Sequence, residues 1–154
     1  MKKIFLTNLL FFLLLGCGFT PMLSKNKNVN FYIESLNFNN GDRELTSYIK
    51  ANLDRYLMDN NGKSFKIEGS VDYNKNSISK NSASNTEEYE ISAISTIQIF
   101  HNGLAKTVVL REDFIMENFG DEFEEMKYEK NIKKSMARSI SSKLLMQLSM
   151  INAN

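Results

Sequence analysis

From Val29 onward the hydrophobic residues change period three times, and this alternation constrains the fold more than any other feature of the chain. Val29, Phe31 and Ile33 alternate with polar positions, which predicts a strand over about Val29 to Phe38 before Asn39-Asn40-Gly41-Asp42 breaks it. Leu45, Tyr48, Ile49, Leu53, Tyr56 and Leu57 then recur at steps of three and four, the signature of one helical face. Asn40 or Asp42 is a fitting N-cap, and Gly62 a fitting left-handed stop. Phe65, Ile67, Gly69, Val71 and Tyr73 return to strict alternation and predict a second strand, and Tyr89, Ile91, Ala93, Ile97 and Ile99 predict a third.

Asn102-Gly103 is a strong hairpin signal, because both residues tolerate positive φ. It predicts a fourth strand from about Lys106 to Met116, with Val108, Leu110, Phe114 and Met116 on one face and Glu112 interrupting it. The last segment, about Glu122 to Met150, repeats Ile132, Met136, Ile140, Leu144 and Leu148 on a long amphipathic helix. Acidic residues in its first turns suit the helix dipole. The order β-α-β-β-β-α implies an α+β two-layer sandwich, a four-stranded and mostly antiparallel sheet with both helices on one face. Leu45, Ile49, Leu53, Leu57, Ile132, Met136, Ile140 and Leu144 should face that sheet. Asn74 to Glu88 is almost wholly polar and lacks periodicity, so it reads as a long functional or disordered loop.

Upstream of Val29 the chain has another character. Lys2 and Lys3 precede an apolar run from Ile4 to Leu15 that is too short to span a bilayer, which needs about 20 residues. Residues 1–16 therefore read as a signal peptide, residues 17–28 as a tether containing Pro21, and residues 29–154 as one domain. Leu14-Leu15-Gly16-Cys17 resembles the lipobox of bacterial lipoproteins, in which the cysteine is diacylated and the chain is cut before it. A signal anchor with an incidental cysteine is the alternative. Two or more acyl chains hold a protein stably on a membrane, so an N-acyl diacylglycerol on Cys17 would anchor the chain without a transmembrane helix. Gly18, in place of aspartate, resembles the sorting signal for the outer membrane of a two-membrane bacterium.

Composition narrows the function classes. With 19 basic and 18 acidic residues the chain lacks the charge footprint of a nucleic-acid binder. One cysteine excludes an internal disulfide and a cysteine-rich metal site. His101 stands alone before the Asn-Gly turn, without a second histidine or a cysteine to share a metal, and reads as a surface residue. Asp121-Glu122-Phe123-Glu124-Glu125 lacks the alternating ligands and glycine of a calcium loop and reads as a solvated helix start. Lys127, Lys130, Lys133, Lys134 and Arg138 read as a solvated helix face. Ser-x-x-Lys occurs at Ser24/Lys27, Ser47/Lys50 and Ser77/Lys80, without the Ser-Asp-Asn and Lys-Thr-Gly motifs that accompany it in penicillin-binding enzymes. No catalytic residues and no cofactor are expected beyond the lipid.

The lipobox, the opening Cys17-Gly18-Phe19-Thr20-Pro21 and the order of elements together resemble the lipopolysaccharide-assembly lipoprotein LptE family over essentially the whole mature chain. The resemblance implies a periplasm-facing outer-membrane lipoprotein that plugs a large β-barrel partner, LptD, assists its assembly and binds lipopolysaccharide. For the glycolipid phosphates it makes Lys66, Lys75, Lys80, Lys106 and Arg111 the chemically sensible contacts. A free periplasm-facing lipoprotein, acting as a binding or cell-wall synthesis accessory module, is the alternative.

Overall fold

A computed structural model describes residues 30–58 and 62–153. Cys17 and the segments read from sequence as signal peptide and tether lie outside the described residues. The elements follow the expected order: β1 (Phe31–Gly41), α1 (Arg43–Leu53), a 3-10 turn (Asp54–Tyr56), β2 (Lys63–Lys80), β3 (Thr86–His101), β4 (Leu104–Glu117) and α2 (Glu122–Ala153). The four strands form one sheet in the order β1-β2-β3-β4. β1 runs parallel to β2 through the α1 crossover, while β2, β3 and β4 are an antiparallel meander. The fold is α+β, with two helices over one sheet.

Alternation decides what the helices cover. Phe65, Ile67 and Val71 of β2 and Ile91, Ala93, Ile97 and Ile99 of β3 are buried against Leu45, Ile49 and Leu53 of α1 and Ile132, Met136, Ile140, Leu144 and Leu148 of α2. Each of these side chains other than Ala93 contributes about 1.5–3 kcal/mol by leaving water. Leu57 departs from expectation and is 40% exposed. The α-helix ends at Leu53, and the tighter 3-10 turn rotates the following residues off the apolar face. Tyr56 still packs, stacking on Phe31 with ring centroids 6.1 Å apart.

Asp42 is the N-cap of α1, its Oδ1 accepting from the Leu45 amide at 2.7 Å. Gly62 is not a left-handed stop. Its requirement is proximity, since a Cβ there would fall 2.3 Å from the Asn30 carbonyl carbon. β1 likewise runs on to Gly41 instead of breaking at Asn39, with bulges between Ile33 and Ser35 and between Phe38 and Asn40. Gly41 has φ +107°, and a Cβ would lie 1.9 Å from the Val71 carbonyl oxygen. Asn102 and Gly103 take φ of 49° and 76°, the paired positive values of a tight hairpin turn.

The largest difference from the sequence reading is at residues 74–88. There is no long loop: β2 continues to Lys80, β3 starts at Thr86, and only Asn81–Asn85 turn. The pairing Asn74↔Ser92, Lys75↔Ile91 and Asn76↔Glu90 extends the ladder with polar side chains. Asn81 closes the turn, its Oδ1 accepting from the amides of Ala83 and Asn85 at 3.0 Å.

Candidate functional site: the uncovered sheet face and the ionic seam

Both helices lie on one side, and among the described residues the other side of the sheet has no second layer. That face presents Lys66, Glu68 and Asp72 from β2, Glu90, Ile94 and Gln98 from β3, and Val109, Arg111, Asp113 and Ile115 from β4, placed there by alternation with the buried set. Its charges are mixed and partly paired. Lys66 Nζ lies 3.2 Å from Glu34 Oε1, and the Arg111 guanidinium donates to both Asp113 oxygens at 2.9 Å. These bonds raise the Arg111 pKa and lower that of Asp113.

The covered face carries a polar seam at the end of the sheet where α2 starts. Tyr73 and Lys75 continue the inward positions of Phe65, Ile67 and Val71, and α2 meets them with Glu125 and Glu129. Tyr73 Oη donates to Glu129 at 2.7 Å, and Lys75 Nζ bridges Glu125 and Glu129. Burial, then the bond to Glu129, push the Tyr73 phenol well above the ordinary tyrosine range. Burial opposes charge on both Lys75 and Glu129, but it is outweighed on Lys75 by the bonds to Glu125 and Glu129 together, and on Glu129 by those from Tyr73 and Lys75 together. The Lys75 pKa rises, and the Glu129 pKa falls with help from Tyr73. Lys133 is not on a solvated face: it is buried, 3.0 Å from Asp42 Oδ2 and 3.4 Å from Glu44 Oε2, with its ammonium 4.3 Å from the Tyr73 ring centroid. Glu125, expected at a solvated helix start, belongs to the seam as well. Asp121 caps that start, accepting from the Glu124 amide at 3.0 Å.

Glu112, the interruption in β4, is bound from above by the Ser139 hydroxyl at 2.7 Å and by Lys143. His101 is more enclosed than a surface turn residue. Its Nδ1 bonds the Ser64 carbonyl at 2.9 Å, its Nε2 faces Asn102 Nδ2 at 3.0 Å, and its ring packs 4.7 Å from that of Phe65. Ser77 and Lys80 stand on a strand and not on one helical turn, and Ser77 Oγ pairs with Thr86 Oγ1 at 3.0 Å. Among the described residues no group of acids and histidine could hold a metal ion, and no helix is long and apolar enough to cross a membrane.

The five basic residues are spread over the molecule. Lys66 and Arg111 share the uncovered face, but Lys66 is in the row of Phe100 and Arg111 in that of Ile94, about 20 Å along the strands. Lys75 is held by two glutamates within the seam. Lys106 lies toward the hairpin end, reaching Gln147 at 3.2 Å, and Lys80 is exposed at the opposite tip. What the sequence reading passed over is the outer row of β4, where Val109 and Ile115 flank Arg111 and Asp113. The available signal was apolar residues standing out of step with Leu110 and Met116.

No protein-family model matches the chain, and no curated protein matches it. Solved structures do. Rare lipoprotein B from Shewanella oneidensis matches with a TM-score of 0.61 at 14% identity, covering 80% of this chain and 96% of its own. Lipoprotein B from Nitrosomonas europaea matches with a TM-score of 0.57 at 13% identity, covering 81% and 88%. A minor lipoprotein from Acinetobacter baumannii matches with a TM-score of 0.50 at 13% identity, covering 74% and 94%. The two-layer domain built by residues 30–153 is therefore the fold of these lipoproteins.

Proposed function

We propose that the mature chain is a non-catalytic outer-membrane lipoprotein, acylated on Cys17, that plugs and helps assemble a lipopolysaccharide-transport β-barrel of the LptD kind and assists delivery of the glycolipid to the cell surface. The observation that carries this reading is one fold shared with lipoproteins over about four-fifths of the chain, following the lipobox-like Leu14-Leu15-Gly16-Cys17. The uncovered face supports it, since a sheet with one bare side of mixed charge can lie against a barrel wall. Of the basic residues, Lys66, Lys80, Lys106 and Arg111 reach solvent and are the proposed phosphate contacts. Lys75 is the weakest of the five because Glu125 and Glu129 already neutralise it.

Depletion of the protein in its own cell tests the reading. Loss of the assembled barrel, with lipopolysaccharide retained inside, is the expected result. Normal barrel levels and normal surface glycolipid would defeat it and leave the free periplasm-facing lipoprotein as the better account. Cys17→Ala separately tests the anchor: the protein should move from the membrane fraction to the soluble periplasm and lose metabolic labelling by palmitate.

A further inference from the structure

β1 and β4 are the two edges of the sheet, and they differ. β1 is bent by two bulges, a device that keeps an edge from pairing. β4 runs its 14 residues against β3 without a register shift and contains no proline. Along its uncovered side come Val109, Arg111, Asp113 and Ile115, in the order apolar, positive, negative, apolar. Val109 and Ile115 are 63% and 64% exposed. Turned end for end about Glu112, this row matches itself in shape and opposes itself in charge.

We propose that β4 pairs antiparallel with β4 of a second copy of this chain, across a two-fold axis at Glu112, joining two four-stranded sheets into one of eight strands. Val109 then meets the second copy's Ile115, and Arg111 meets the second copy's Asp113, each twice. On the covered side Leu110 meets Phe114, which is 38% exposed in the single chain. Glu112 meets its own copy, and each carboxylate keeps its own Lys143 and Ser139. Lys143 Nζ also donates to the Arg111 carbonyl at 3.2 Å, and a carbonyl oxygen has a second lone pair for the incoming strand.

Neighbouring registers lack this fit. An axis at Arg111 opposes Arg111 to itself and Val109 to Asp113, while an axis at Leu110 sets Val109 against Arg111 and Val108 against Glu112. Like charges directly opposite destabilise a strand pair, and opposite charges or apolar pairs stabilise it. The complementarity is internal to β4, which is why the occupant is a second copy and not an unlike strand. This inference does not depend on the barrel reading.

The test uses the full chain extracted in detergent. Chains carrying Val109→Cys are mixed with chains carrying Ile115→Cys and oxidised, and linked peptides are identified by mass. A disulfide between positions 109 and 115 is expected, with none between two copies of position 109, which the register sets about 20 Å apart. Arg111→Asp should weaken self-association by about tenfold or more in sedimentation equilibrium, and adding Asp113→Arg should restore it. Unchanged melting curves would show that these exposed substitutions leave the fold intact. A monomer at every concentration, linkage through 109 and 109, or a charge swap that fails to rescue would each overturn the proposal.

Discussion

The Lys133 ammonium lies 3.0 Å from Asp42 Oδ2, while the other oxygen of that carboxylate caps α1 by accepting from the Leu45 amide. One carboxylate thus starts the short helix and fastens the long one to it. Lys133→Ala should cost about 1–3 kcal/mol, because Asp42 loses a charged donor in a half-buried setting. Urea unfolding of the variant measures it. A loss well below that range would mean that Asp42 recovers its donor from water.

The ionic seam sets the pH dependence of stability. The Glu129 pKa is lowered on folding, so its contribution is present above the unfolded glutamate pKa of about 4.3 and is lost as pH falls through the folded value. Tyr73, Lys75 and Lys133 have raised pKa values, so theirs is present below the unfolded values of about 10 and is lost as pH rises through the folded ones. Melting temperature should therefore fall at both extremes. Glu129→Gln should flatten the acid limb, and melts from acid to alkaline pH check both sides.

Core truncations should be expensive. Leu53 and Ile140 are fully buried on different helices over the same sheet. Changing either to alanine should cost about 2–5 kcal/mol, as a transfer loss plus a cavity, measurable by denaturant midpoints at unchanged slope.

Gly41→Ala should be more disruptive than its size suggests. The position holds φ +107°, and the added carbon would meet the Val71 carbonyl. A loss well above about 1 kcal/mol is expected, with near-ultraviolet spectra reporting whether β1 still docks.

The sequence revealed the fold wherever a helix covers the sheet, because there alternation is written in isoleucine, phenylalanine and valine. It concealed the outer halves of β2 and β3, where the helix offers glutamates instead of leucines and the inward residue is Lys75. That lysine continues the period of Phe65, Ile67, Val71 and Tyr73, so a reading by position would have placed it inward. Lys133 was legible in the same way, one residue beyond Ile132 on the inward stripe. Their carboxylate partners come from 50 residues or more away, a relation no local window contains. The bulges of β1 belong to its pairing with β2, and the 3-10 turn follows the end of α1 at Leu53; neither left a local mark in the sequence.

The parallel pairing of β1 with β2 has a consequence for how the chain acquires its structure. β2, β3 and β4 are sequence neighbours joined by tight turns, so their ladders close small loops. β1 emerges first from synthesis but finds its partner only after α1 has been made, across a longer loop with a higher closure entropy. Hydrogen exchange should show β1 amides opening before those of β3. The N-terminal end of the domain, the one that follows residues 17–28, is thus the last part secured and the first released, so a pull on the chain from that side acts on the most easily parted seam of the sheet.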